Sequence, residues 1–242
     1  MAEKPEIYVV ASGKGGVGKS TFVAGVSNAL SSLGKRVLAI DCDIGLRSLD
    51  LLLECGEKVV FDWGDFILGH CDANQVLIKG DVDFVAAPRF FDDSFNGENL
   101  AKLIEKISVG YDFIFMDAPA GIDSGFMTAA GCADNAIVVS TPDRICVRSC
   151  SRAFEEIEKL KIENTRLVIN MFETRPVHKG KLLNVDECID ETGVQLLGVI
   201  PMDRELAFSS VTGITPGEFS VSDQAFYRIA KRLSGERVPL SL

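Results

Sequence analysis

Eight residues near the N-terminus, GKGGVGKS at 13–20, constrain this chain more than any other feature. They satisfy the spacing G-x-x-x-x-G-K-[ST]. They lie between an apolar, β-branched run at 7–11 and a segment of helical period at 20–33. A glycine loop between a strand and a helix leaves the first helical N–H groups without intrahelical partners, where an oxyanion can approach. Gly13, Gly15, Gly16 and Gly18 allow backbone angles and approach distances that a Cβ would forbid. With Lys14 and Val17 they form the expected nucleotide-binding loop. Lys19 is then placed to bridge β- and γ-phosphates, Ser20 to hold Mg²⁺ through its hydroxyl, and Thr21 to donate to the α-phosphate.

The rest of the chain keeps this alternation. Apolar runs at 36–41, 84–86, 113–117, 135–140, 166–170 and 196–200 lack polar alternation, as strands covered on both faces do. Helical patterns occupy 100–109, 148–160 and 223–233, and Gly34 closes the first helix. The pattern predicts an α/β fold with a doubly wound, mostly parallel sheet flanked by helices. A length of 242 residues, without repeats, low-complexity tracts or a linker, suits one domain over 1–242. Ligands of such sheets gather beyond the carboxyl ends of the strands. Ser12, Asp41, Asp117, Thr141 and Asn170 are therefore expected around one cleft. Asp117 ends an apolar run, where a carboxylate can hold Mg²⁺ through a water. The Asn170 amide, a donor and an acceptor, suits an adenine edge. Segment 55–95 is the least legible: a small helix is expected, then a loop into the third strand.

The formal net charge of −10 argues against broad attraction to DNA or anionic lipid. One region departs from it. Residues 144–181 carry nine Lys/Arg against five Asp/Glu, a local basic patch for an acidic surface. No apolar run reaches the length of a transmembrane helix, and the N-terminus shows no secretory apolar region, so a cytoplasmic protein is expected. The seven cysteines (Cys42, Cys55, Cys71, Cys132, Cys146, Cys150 and Cys188) are scattered without a CxxC pair and read as reduced thiols. Cys146 and Cys150 are spaced to share a helix face. His70 and His178 lack any motif context.

Lys14 is not required by the generic loop pattern. With it, KGGVGKS resembles the deviant Walker A loop of the MinD/ParA family of P-loop ATPases. DCDIGLRSLD at 41–50 and DAPAGI at 117–122 resemble that family's two switch segments. TPDRICVRSCSRA, LGVIPMD and AFYRIAKRLSGE extend the similarity from residue 7 to about residue 235. The resemblance implies ATP and Mg²⁺ as cofactors, and a slow, partner-stimulated ATPase. It implies an ATP-dependent homodimer in which Lys14 reaches the phosphates of the other subunit. Lys14, Lys19 and Asp43 are then the catalytic residues, with Asp43 orienting the attacking water and Asp41 in support. Ser20, Asp43 and Asp117 form the metal set. Gly121 senses the γ-phosphate through its N–H, and Asn170, Pro201 and Asp203 form the adenine pocket. The implied output is spatial positioning, most directly of the division site, with a regulatory or cargo protein as partner.

Several positions depart from the family pattern. Ser48 stands where asparagine is usual, Met171 where arginine often follows the asparagine, and Ser149 where aspartate is common on the partner-facing helix. Family members of this kind usually end in an amphipathic membrane-targeting helix. Only seven residues follow Gly235 here, Pro239 among them, so no such helix is expected. The 223–233 helix is a last core helix with a basic outer face, or an interfacial one. Attachment at the inner face of the cell membrane stays open. Three other readings remain: ParA-like partitioning on DNA, metal-cluster handling with Cys132 beyond the second switch, and a scaffold that holds ATP with little turnover.

Overall fold

The computed structural model describes residues 4–162, 164–206 and 220–240. Its strands are β1 (Glu6–Ala11), β2 (Val37–Asp41), β3 (Leu77–Ile78), β4 (Asp83–Val85), β5 (Phe113–Asp117), β6 (Asn135–Ser140), β7 (Asn164–Phe172) and β8 (Leu196–Pro201). They form an eight-stranded sheet in the order β3-β4-β2-β5-β1-β6-β7-β8. The pairings are parallel except β3 with β4. The sheet expected from sequence is present, with β5 and β6 at their expected bounds. The two-residue antiparallel strand β3 is an addition, within the segment expected as loop.

The helices are α1 (Lys19–Ser32), α2 (Leu49–Leu52), α3 (Trp63–Ile67), α4 (Gly97–Ile107), α5 (Ser124–Ala130), α6 (Arg144–Lys159), α7 (Thr174–His178), α8 (Val185–Thr192) and α9 (Val221–Leu233). Two apolar layers enclose the sheet. One gathers Phe22, Val26 and Leu30 of α1 with Phe226 and Ile229 of α9. The other gathers Leu100 and Leu103 of α4, Phe126 of α5, Val147 and Ile157 of α6, and Cys188 of α8. Every residue of β5 is buried, which explains its unbroken apolar sequence.

Side chains with local partners start several of the helices. Asn96 accepts from the Asn99 N–H at 3.0 Å, and Asp143 accepts from the N–H groups of Ile145 and Cys146. Asn184 and Glu187 form a reciprocal capping box ahead of α8. Helix α9 is a core helix: Ala225, Phe226, Ile229 and Ala230 are buried, and the Phe226 ring lies 6.4 Å from that of Phe22. Arg232 holds the chain beyond it, donating to the carbonyls of Leu197, Val238 and Pro239.

The register sets the site. Asp41 of β2 pairs with Asp117 of β5, and Val10 of β1 pairs with the same Asp117. The carboxyl ends of the three strands are thus level. The loops that follow them emerge side by side.

Candidate functional site

The phosphate loop leaves β1 at Ser12, which is buried. Its hydroxyl donates to the Lys14 carbonyl at 2.8 Å, folding the loop back over the strand end. Gly18 precedes α1 with φ 89°, a left-handed conformation that a side chain would strain. No side chain caps α1, so its first N–H groups are free to meet an anion, as the sequence leads one to expect. The two loop lysines diverge. Lys19 is buried, whereas Lys14 is exposed at the outer edge of the loop. The Lys14 charge acts on Asp143 at the start of α6. Burial works to raise that carboxyl, but hydrogen bonds from Cys146 and Thr141, with Lys14, hold it below the usual range.

The three aspartates at the strand ends have different surroundings. Asp117 is fully buried and accepts a hydrogen bond from Ser20, while its Oδ1 has no hydrogen-bond partner. Burial pushes its carboxyl up to about 6, against the pull of Ser20 and Lys19. A buried carboxylate oxygen without a partner, beside a hydroxyl and a lysine, is a donor set suited to a hard divalent cation carrying phosphate. The residues therefore fit a magnesium nucleotide. Asp43 is half-buried. Burial raises its carboxyl and Lys19 opposes that rise.

Asp41 corrects an expectation. Its Oδ1 accepts from the Asp43 N–H at 2.8 Å and its Oδ2 from the Leu49 N–H at 3.3 Å. Both oxygens are engaged by backbone, so Asp41 shapes the 43–49 loop rather than facing a metal or a water. Burial, then the charge of Asp117, pushes it up to about 7. Ser48 closes the same loop over the site, its hydroxyl donating to that of Ser20 at 3.2 Å.

In the 117–122 segment, the Gly121 N–H donates to the Ser12 carbonyl at 3.1 Å. A γ-phosphate contact to this N–H would have to replace that bond. Asp123, absent from the sequence-based set, caps α5 through the Phe126 N–H, and its charge reaches Asp43. Its place ahead of SGFMTAA was a readable N-cap signal.

The expected adenine side is a small cavity of about 60 Å³ lined by Thr21, Asn170, Met171, Pro201, Met202, Asp203 and Leu206. Asn170 is buried, and its amide nitrogen donates to the Val17 carbonyl at 2.8 Å. Asp203 borders the cavity with an engaged carboxylate. Oδ1 accepts from the N–H groups of Glu205 and Leu206, and Oδ2 from the N–H and hydroxyl of Ser222. Asp203 thus joins the end of β8 to the start of α9 and supplies no free acceptor to a base.

The remaining chemistry-bearing residues sort apart from this cluster. Cys132 directs its thiol to the carbonyls of Gly97 and Thr128, at 3.3 and 3.4 Å. Cys146 and Cys150 do share a face of α6, and it is a buried face. All seven cysteines are free thiols. Arg144, Arg148 and Arg152 stand exposed at four-residue spacing along α6. Among the described residues, no helix is long and apolar enough to cross a membrane.

Residues 4–234 match the ParA family model described as NUBPL iron-transfer P-loop NTPase. The chain is 36% identical over 241 residues to the septum site-determining protein MinD of Synechocystis, covering 96% of this chain and 91% of that protein. It is 34% identical over 246 residues to MinD of Bacillus subtilis, covering 98% and 92%. It superposes on the MinC:MinD cell division protein complex of Aquifex aeolicus with TM-score 0.90 at 33% identity, covering 98% of this chain and 99% of that one. MinD of Pyrococcus horikoshii complexed with Mg-ADP gives TM-score 0.84 at 26% identity, covering 95% and 96%.

Proposed function

The chain belongs to the MinD/ParA family of P-loop ATPases, and from that membership we propose that it is an ATP-driven switch that dimerises face to face on ATP and positions the division site. One observation carries the dimer: of two lysines in one phosphate loop, Lys19 is buried in its own site and Lys14 is exposed on the outer edge. A buried lysine serves the nucleotide held by the same loop. An exposed one, at the end of the sheet where the ligand sits, is free to serve a nucleotide held by a second copy. Two such loops repel until phosphate lies between them, so the dimer depends on ATP.

Within one protomer, the first turn of α1 and Lys19 hold the phosphates. Ser20 and Asp117 would hold Mg²⁺, with Asp43 beside them, and the ion would supply charge neutralisation and orientation to the phosphates. Asp43, presented by the Asp41 clamp, orients the attacking water. Release of the Gly121–Ser12 bond gives the second switch a way to register the γ-phosphate. Asn170 and Pro201 face the base.

The protein acts in the cytoplasm and docks at a surface when dimeric, with a regulatory or cargo protein as partner. The Aquifex MinD structure with MinC supports such a partner by analogy. The arginine row on α6 favours a second reading, in which the ATP-bound form docks on DNA or another acidic surface. A DNA shift that needs ATP and falls steeply with salt would establish it.

Light scattering tests the dimer. With Mg²⁺ and a non-hydrolysable ATP analogue the wild type should double its mass, and with ADP it should stay monomeric. Lys14→Ala should bind labelled nucleotide within a few-fold of wild type and stay monomeric. A wild type that remains monomeric with the analogue rejects the sandwich, and a Lys14→Ala dimer rejects the role in trans.

A further inference from the structure

The end of β7 departs from the pattern of its own strand. In a regular strand, successive side chains point to opposite faces. Asn170 and Met171 are successive, yet both reach the glycine that opens α1. A Cβ added at Gly18 would collide with the Asn170 amide and stand 3.7 Å from the Met171 Cε. Both residues also line the cavity they share with Thr21, Pro201 and Met202.

A bulge makes this possible. Along the pairing of β7 with β8, Ile169 faces Val199 and Phe172 faces Pro201, so Asn170 and Met171 share the single position of Ile200. Met171 takes φ 55°, in the left-handed region. Arg47, Glu54 and Lys161 do the same, but Arg47 lies in the 43–49 loop, and Glu54 and Lys161 each follow the C-cap of a helix, where the chain commonly turns left-handed. Among the described residues, Met171 is the non-glycine that does so inside a strand. Glycine takes this angle at a bulge without strain, and methionine does not. Strain of this kind persists where the surrounding structure and a ligand make use of it.

The cavity wall indicates the class of ligand. Among the described residues of that wall Asp203 alone is charged, and its carboxylate is engaged by Glu205, Leu206 and Ser222. Arg204, next in sequence, is exposed and outside the wall. Met171, Pro201 and Met202 therefore offer an apolar, uncharged surface. A thioether on a flexible stem packs well against a flat aromatic ring. We propose that Met171 packs on the ring face of the nucleotide base while Asn170 meets its edge, and that the strained bulge is kept because it turns both side chains to one side. This deepens the reading of the site as a nucleotide site, on which it rests, by dividing the base contact into face and edge. The rings of adenine and guanine are alike in shape, so a face contact holds either, and only the edge contact tells them apart.

Calorimetry tests the division. Wild type is compared with Met171→Ala, Met171→Gly and Met171→Leu, using Mg²⁺ with non-hydrolysable ATP and GTP analogues, and inorganic tripolyphosphate as a ligand without a base. Met171→Ala should lose about fivefold or more in affinity for both analogues, with their ratio unchanged and tripolyphosphate bound as by wild type. Met171→Leu keeps an apolar side chain of similar volume and should stay within about twofold of wild type. Met171→Gly should lose as much affinity as Met171→Ala. Its nucleotide-free form should nevertheless melt no lower than wild type, because glycine takes φ 55° freely. Equal affinity of wild type and Met171→Ala for the analogues overturns the face contact and leaves the nucleotide site standing. A changed ATP-to-GTP ratio in Met171→Ala overturns the division between face and edge. Loss of melting temperature and of tripolyphosphate binding in Met171→Gly, in step with the analogues, makes Met171 a structural residue and overturns the proposal. A wild type that binds neither analogue nor tripolyphosphate overturns the nucleotide reading as well.

Discussion

The amide nitrogen of Asn170 donates to the backbone carbonyl of Val17 at 2.8 Å, tying the end of β7 to the phosphate loop. A carbonyl only accepts, so the nitrogen must face Val17 and the amide oxygen is left for other partners. That oxygen can accept from the amino group of adenine and is repelled by the carbonyl of guanine. Asn170→Ala should therefore weaken ATP binding by ~10-fold and shrink the preference for ATP over GTP, measured by competition with a labelled nucleotide. An unchanged preference would show that the base is read elsewhere.

Gly13 and Ser149 meet backbone to backbone. A Cβ added at Gly13 would lie 2.0 Å from the Ser149 carbonyl oxygen. The first loop glycine is thus needed for close approach to α6, quite apart from phosphate. Gly13→Ala should force the helix and the loop apart, costing about 1–3 kcal/mol as overpacking does. The melting temperature of the nucleotide-free protein should fall, and ATP binding with it. A variant with unchanged melting but lost binding would confine the role of Gly13 to the ligand.

How much of this was legible follows from how each element is stabilised. β5 and β6 were readable to the residue, because a strand covered on both faces is apolar throughout and ends at a polar residue. β3 was not, because its two residues owe their conformation to pairing with β4. The helix α8 was missed although Asn184 and Glu187 spell a capping box, since eight residues give little helical period to count. α7 was hidden by Pro176 within five residues. In the site, the motif spacing pointed to the phosphate loop and Asp117, and the structure brings Ser20, Lys19 and Asp117 together. Spacing alone could not tell Asp41 from Asp43, two residues apart in one sequence, and only the family resemblance put Asp43 on the water with Asp41 in support. The difference lies in which backbone N–H groups reach each carboxylate, and that is settled by the path of the 43–49 loop. The roles of Asp203 and Gly121 were likewise hidden, because their partners, Ser222 and Ser12, are distant in sequence.

Burial of Asp41 and Asp117 makes the stability of the nucleotide-free protein depend on pH. The folded values, about 7 and about 6, lie above the unfolded value near ~4. The folded chain therefore holds protons that the unfolded chain has released, and stability declines as pH rises through the window between ~4 and ~7. Melting should be higher at pH 5.5 than at pH 7.5, by on the order of 1 kcal/mol in unfolding free energy. Asp41→Asn should flatten that slope, since an amide oxygen can still accept one of the two backbone N–H groups. Mg-nucleotide should remove the Asp117 share of the slope by favouring its ionised form, leaving the share of Asp41. A slope of opposite sign in the nucleotide-free protein would show that these carboxyls are ionised at little cost.

The proposed water-orienting role of Asp43 is testable because its side chain does little for the fold. Its N–H is fixed by Asp41 at 2.8 Å, whereas its side chain has no comparable set of backbone partners. Burial raises its carboxyl, and the nearby Lys19 opposes that rise. On the proposed role, replacing Asp43 by alanine removes the group that orients water and leaves the phosphate loop intact. Single-turnover phosphate release should fall ~100-fold or more, while nucleotide affinity stays within a few-fold. The dimer should then persist on ATP itself, as the wild-type dimer is expected to do only on a non-hydrolysable analogue. Asp43→Asn separates position from charge: it keeps the shape of the side chain, and its turnover should fall as far as that of Asp43→Ala. Normal phosphate release in either variant would assign the water to another residue, with Asp123, whose charge reaches Asp43, the next carboxylate to replace.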